Sequence, residues 1–268
     1  ISYQEAMELS HFGAKVIYPP TIQPVMKKGI PVWIKNTFAP EEPGTVIKNE
    51  ATATGTSIQG ISSINSIVLL SLEGSGMVGI PGFSKRLFEA LANASINVIL
   101  ITQGSSEHSI CVGVDEYASA KAKEVIDAAF AYEIETNKVD PIIVEKELSI
   151  VAIVGDNMKN HSGISGKMFS ALGRNGVSIR AIAQGSSERN ISAVISTADV
   201  KKAINVLHEE FFETTYKQVN LFIGGLGNVG QKFLDQLQQQ KQFLLEKLRI
   251  QIRVAGIANS KKMYFNED

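Results

Sequence analysis

The pentapeptide Gln103-Gly104-Ser105-Ser106-Glu107 returns letter for letter as Gln184-Gly185-Ser186-Ser187-Glu188, 81 residues later. The same offset aligns the flanks without a gap. Met77 falls on Met158, Gly82 on Gly163, Phe88 on Phe169, Ala90-Leu91 on Ala171-Leu172 and Ile110 on Ile191. A repeat this long, built from strand and helix patterns, implies one small domain used twice. Identity in a polar loop, while the apolar positions drift, points to a shared binding task rather than a shared core.

Each copy reads strand, helix, strand, strand, helix, strand. In the first, strands are expected at Ser66 to Leu72, Ile96 to Thr102 and Ser109 to Val114, with helices at Pro81 to Ala94 and Ala118 to Phe130. In the second, Leu148 to Val154, Gly163 to Asn175, Val177 to Ala183, Ile191 to Ser196 and Val200 to Phe211 play the same parts. Two helices on one face of a four-stranded antiparallel sheet is the ferredoxin-like arrangement, so the expected class is α+β.

Before the repeats, Ser2 can cap a helix over Ser2 to Gly13, with Glu5 completing a capping box. A strand over Lys15 to Tyr18 is expected to end at Pro19-Pro20, followed by a short helix to about Lys28. Short strands follow at Pro31 to Asn36 and Thr45 to Ile47, then a linker rich in Ala, Thr and Gly over Lys48 to Gly60. After the repeats, the buried-strand pattern Val219 to Ile223 leads into Gly225-Leu226-Gly227-Asn228-Val229-Gly230, a helix over Gln231 to Leu248 and a strand over Ile250 to Ile257. The chain opens at Ile1 within an amphipathic helix and closes at Asp268 after a strand, so it reads as a piece of a longer polypeptide.

Composition narrows the function classes. The 26 basic and 27 acidic residues nearly balance, and no basic stripe interleaves with aromatics, which argues against nucleic acid. No apolar run approaches the roughly 20 residues of a membrane span. Cys111 is the single cysteine, which excludes an internal disulfide and fits a reducing compartment; its setting, Ile110-Cys111-Val112, reads as inert core. His11, His108, His161 and His208 show no metal-ligand spacing.

Two motifs remain that could carry chemistry. A glutamine offers an acceptor and two donors in one planar group, so Gln103 with Gly104 and Ser105, and Gln184 with Gly185 and Ser186, can satisfy a small zwitterionic ligand. The bland alternative is a turn closed by its own serines. In the glycine motif, Gly225 permits the tight turn, Gly227 lets a pyrophosphate approach, and Gly230 allows close helix–strand packing. Ala258-Asn259-Ser260-Lys261 ends the next strand without a carboxylate for ribose hydroxyls, so NADP is at least as acceptable as NAD. A structural glycine turn is the other reading. Lys15, after Gly13-Ala14, is either a neighbour of nucleotide phosphate or a solvated surface lysine.

Read together, these residues resemble the bifunctional aspartate kinase–homoserine dehydrogenases. Ser2 to Val16, Ile34-Lys35-Asn36-Thr37 and Pro43-Gly44-Thr45 are similar to the end of an aspartokinase catalytic domain. Leu100 to Glu107 and Ala181 to Glu188 resemble its paired ACT regulatory domains. Phe222 to Gly230 and Val254 to Lys261 resemble the start of homoserine dehydrogenase. The resemblance divides the chain into a kinase end (1–50), a first ACT domain (51–138), a second (139–216) and a truncated dinucleotide-binding start (217–268).

It implies an allosteric region between two enzymes, in which Gln103 and Gln184 contact L-threonine and Lys15 and Val16 border the ATP used as kinase substrate. The resemblance places the kinase's catalytic residues before Ile1 and the dehydrogenase's acid and lysine after Asp268. It also implies a cytoplasmic homo-oligomer assembled through ACT domains. Where the family has a histidine, this chain has Tyr18. The family interleaves its ACT units, so residues around Thr56 to Ser63 are expected in the sheet of the second copy. Signals should reach the kinase end through the Trp33 strand and the dehydrogenase through Glu213 to Lys217. Lysine as effector, or a scaffold that has lost its ligand, are the competing readings.

Overall fold

The computed structural model describes residues 1–14, 16–49, 58–104, 108–156, 158, 161–185, 189–212, 217–248 and 250–265. The chain divides into two compact units, Ile1–Phe211 and Phe212–Asp268.

In the first unit, α1 (Tyr3–His11) and α2 (Pro19–Lys27) precede a hairpin of β1 (Val32–Ile34) and β2 (Thr45–Ile47). The repeats then run β3 (Gly60–Glu73), α3 (Phe83–Asn93), β4 (Val98–Gln103), β5 (Ser109–Asp115), α4 (Ser119–Ala129) and α5 (Ala131–Glu135). The second copy continues with β6 (Ile143–Val154), α6 (Ile164–Arg174), β7 (Ile179–Gln184), β8 (Asn190–Ser196) and α7 (Val200–Phe212). Elements of the two copies coincide at the 81-residue offset, from α3 and α6 to β5 and β8.

The two copies do not form two separate four-stranded sheets. Their strands make one antiparallel sheet of six, in the order β4-β5-β3-β6-β8-β7. The central strands β3 and β6 are long because each serves both copies. Ile67 to Glu73 pairs with β5, while Gly60 to Ile64 pairs with Val154 to Ile150 of β6. Conversely, Leu148 to Val154 pairs with β8, and Ile143 to Glu145 pairs with Ser71 to Leu69. Each copy thus receives its fourth strand from the chain just before the other copy. The expected exchange at Ser63 and its neighbours is present; Thr56 and Ser57 lie outside the described residues. Register shifts mark the crossing, and there Ser66 and Glu147, again 81 residues apart, adopt φ of 61° and 59°.

Alternation along β3 assigns its two faces. Val68, Leu70 and Leu72 pack with Leu87, Leu91 and Ile126 beneath α3 and α4. Ile67 and Leu69 face the other way, with Leu148, Ile150, Ala152 and Val154 of β6. That second face is closed by Leu9 and Phe12 of α1 and by edge residues Leu100 and Ala183. The sheet curls enough for β4 and β7 to touch across it.

Helix α1 is fixed at both ends. Ser2 and Glu5 form the expected capping box. At the C-terminus Ala14 N–H donates to Leu9 O at 2.9 Å and Gly13 N–H to Ser10 O at 3.4 Å, a Schellman closure with Gly13 at φ 107°. Ser62 Oγ donates to Phe12 O at 2.8 Å, tying the helix end to β3.

One expectation fails here. Val16 to Tyr18 forms a turn, not a strand, because Pro19 and Pro20 occupy the first helical positions of α2, where missing N–H groups cost nothing. Among the described residues Trp33 sits in β1, which pairs with β2 apart from the six-stranded sheet; α1 contacts β3 and β6.

In the second unit β9 (Lys217–Gly224) and β10 (Ile250–Ala258) are parallel, joined by α8 (Asn228–Leu248). A further short strand, β11 (Met263–Phe265), pairs antiparallel with β10.

Candidate functional site

Gln103 ends edge strand β4 and Gln184 ends the opposite edge strand β7. Both glutamines, with Gly104 and Gly185, are exposed, and Ser105 and Ser186 lie outside the described residues. Gly104 N–H donates to Ser109 O at 3.3 Å, which closes the strand end. Gln103 lines a pocket of about 250 Å³ together with Phe83 and Ser84 of the first turn of α3, Met77 and Ile110. None of the described residues that line it is charged. The second copy repeats the juxtaposition: Ser165 Oγ, in the first turn of α6, donates to Gln184 Oε1 at 3.0 Å. Ser84 and Ser165 correspond at the repeat offset, as do Met77 and Met158; the serine pair is a site feature that the pentapeptide alone did not reveal, although the same offset aligns it.

This arrangement suits a small zwitterion. The first turn of α3 has no side-chain cap and no acidic residue, so its free N–H groups can meet a carboxylate. The glutamine amide can donate to or accept from the polar end of the ligand, and Met77, Phe83 and Ile110 give its carbon skeleton an apolar surface.

Next to Phe83 of the pocket lies an aromatic corner capped by an ion pair. The Phe83 ring stacks on Phe130 with centroids 5.7 Å apart and planes inclined by 6°. Arg86 covers Phe130, its guanidinium carbon 4.5 Å from the ring centre, and grips Glu133 in a two-pronged ion pair at 2.5 and 3.0 Å. The hydrogen bond from Arg86 holds the Glu133 carboxyl below the usual carboxylate range and raises the guanidinium's own value. A depressed carboxyl contributes stability above its unfolded value and loses it as pH falls through the folded one. Glu133→Gln is therefore expected to flatten the acid side of the stability profile below roughly pH 4, measured by urea unfolding across pH. The effect will be small, because the Arg86 side chain is 41% exposed.

The glycine turn of the second unit matches its expected geometry at two positions. Gly225 takes φ 106° and donates its N–H to Ala258 O at 2.7 Å, which brings the turn and the end of β10 together. A Cβ on Gly230 would lie 2.0 Å from Gly225 O, so only glycine admits this close approach. Gly227 faces open space. Leu226 lies in the turn, and Asn228 and Val229 begin α8, three residues earlier than the sequence suggested. Asn259, Ser260 and Lys261 form a tight turn into β11, with Asn259 Oδ1 accepting from Lys261 N–H at 2.9 Å and Lys262 N–H at 2.8 Å.

Of the remaining candidates, Lys15 lies outside the described residues and Val16 sits in an exposed turn. Cys111 is partly buried, and burial pushes its thiol up, as befits an inert position. No group of three potential metal ligands occurs among the described residues, and no described helix is long and apolar enough to cross a membrane.

Comparison with known proteins points the same way. Residues 70–130 and 151–211 each match the ACT domain family, at the offset of the repeat. The bifunctional aspartokinase/homoserine dehydrogenase of Haemophilus influenzae is 43% identical over 268 residues, covering 100% of this chain and 33% of that protein. The chain spans about a third of the length of the curated relatives it matches. Among solved structures, Clostridium acetobutylicum aspartate kinase superposes with a TM-score of 0.71 at 31% identity, over 79% of this chain and 48% of that one. Escherichia coli aspartokinase III in complex with lysine and aspartate (T-state) gives a TM-score of 0.63 at 28% identity, over 80% and 46%. The fold is that of an aspartokinase-like α+β protein with ACT domains.

Proposed function

We propose that this chain is the regulatory region of a bifunctional aspartokinase/homoserine dehydrogenase, and that its twin strand-end glutamines bind L-threonine as feedback inhibitor. The parent enzyme would phosphorylate aspartate with ATP and interconvert aspartate semialdehyde and homoserine with NADP or NAD. It would act in the cytoplasm as a homo-oligomer joined through its ACT domains. The dinucleotide would lie against Gly225 to Gly230, its pyrophosphate over Gly227 and the N-terminus of α8, with Ala258 to Lys261 beside the ribose.

The observation that supports effector binding is the repeated pairing of a strand-end glutamine with the first turn of a helix, once across a pocket and once by direct hydrogen bond. Lysine is the second reading, because an E. coli relative is described with it. None of the described residues lining the first pocket is charged, which disfavours lysine, since none of them offers a partner to a second ammonium group.

Titration calorimetry of the 268-residue chain with L-threonine and with L-lysine tests the reading. Threonine should bind, and Gln103→Ala and Gln184→Ala should each weaken one site by about 1–3 kcal/mol, roughly 5- to 150-fold. Absence of both heat and a melting shift with millimolar threonine would overturn it, and heat with lysine alone would favour the second reading.

A further inference from the structure

The two candidate sites are anchored differently, and the difference lies in Glu5. Its side chain is 1% exposed. One carboxylate oxygen accepts the Ser2 N–H at 2.8 Å, completing the capping box of α1. The other reaches out of the helix and accepts the Asp156 N–H at 2.9 Å, across 151 residues of chain. Asp156 opens the segment between β6 and α6, which corresponds to the segment from Ser75 that walls the first pocket. One turn further along α1, Glu8 Oε2 accepts from Asn190 Nδ2 at 2.7 Å. Asn190 begins β8, with Arg189 between it and the second polar loop.

The two second-copy segments are also tied to each other. Gly155 N–H donates to Arg189 O at 2.9 Å, and Arg189 Nε lies 3.2 Å from Asp156 Oδ1, an ion pair without hydrogen-bond alignment. Two segments of the second copy, at Asp156 and Asn190, therefore rest on two carboxylates of one N-terminal helix.

The first copy is held by other means. Gly76 N–H donates to Lys138 O at 2.9 Å and Asp140 N–H to Glu73 O at 2.8 Å, so the linker between the copies supports that wall.

We infer that Glu5 is a positioning residue for the second effector site alone, making the geometry of that site depend on the N-terminal segment while the first site does not. This rests on the effector-binding reading given above. A buried carboxylate accepting two backbone N–H groups is strongly held, and its removal takes the acceptor from the part-buried Asp156 N–H. By linkage, whatever displaces α1 weakens ligand at the second site, and ligand there opposes displacement of α1.

The test uses the 268-residue chain with one site disabled at a time. In the Gln103→Ala background, where only the second site remains, Glu5→Ala should weaken threonine at least 10-fold. In the Gln184→Ala background it should change affinity less than 2-fold. Equal losses in both backgrounds, or none in either, would overturn the inference. If Glu5→Ala does not fold, Glu5→Met and Glu8→Ala take its place, with the same one-sided loss expected. Amide hydrogen exchange at Asp156 separates failure of this idea from failure of the effector reading. Protection of that amide should fall at least 10-fold in Glu5→Met, which keeps the length but no acceptor, whether or not threonine binds, and unchanged protection would overturn the inference.

Discussion

Phe130→Ala is expected to destabilise the 1–211 unit by about 4 kcal/mol, the range for removing a buried phenylalanine. Phe130 has no exposed surface, stacks on Phe83 and carries Arg86 on its outer face. It also occupies the corner between α4 and α5, where its carbonyl accepts from Ile134 N–H at 2.9 Å. Truncation would therefore remove a ring from the core and leave the Arg86–Glu133 pair without its platform. Phe130→Leu, which keeps most of the volume, should cost clearly less. Urea unfolding measures both. A loss under about 1 kcal/mol for the alanine variant would mean that the corner relaxes to fill the gap. Because Phe83 lines the first pocket, effector affinity there should fall further than at the second site.

Gly13→Ala should cost about 3 kcal/mol, for two separable reasons. Glycine alone adopts φ 107° without strain, and the wrong conformation costs about 1–2 kcal/mol. The new Cβ would also lie 2.3 Å from Ser63 O, a backbone atom of β3 that pairing to β6 holds in place. Relief requires α1 to lift from the sheet, exposing Leu9 and Phe12 and straining the Glu5 and Glu8 contacts. Circular dichroism melting should show the loss, and exchange protection in α1 should fall before that of β5 or β8. A melting point unchanged within error would show that the helix end adjusts without moving the strand.

Much of this architecture was legible in the residues. The 81-residue offset located both copies, and Ser2 with Glu5 marked the start of α1 through local chemistry. Gly225 and Gly230 play their parts because a tight turn and a close backbone approach each exclude a Cβ. What stayed hidden was non-local. Gly60 to Ile64 shows no period-two alternation, its isoleucines standing three apart, so only the resemblance suggested a strand there and a partner in the second copy. Nothing in the sequence lengthened β6 back to Ile143, since Ile143-Val144-Glu145 looks like linker without β3 beside it. Proline misled for a physical reason: Pro19-Pro20 is as good at opening a helix as at closing a strand. The second bond of Glu5 spans 151 residues, a distance at which no local pattern speaks.

The reciprocal loan of strands has a consequence for the history of such a protein. Once Gly60 to Ile64 and Ile143 to Glu145 had changed places, the duplication could no longer be undone by deleting either copy, because the survivor would lack an edge and expose unpaired backbone. Two halves that began as interchangeable have become mutually indispensable, free to diverge in what they sense but not to part.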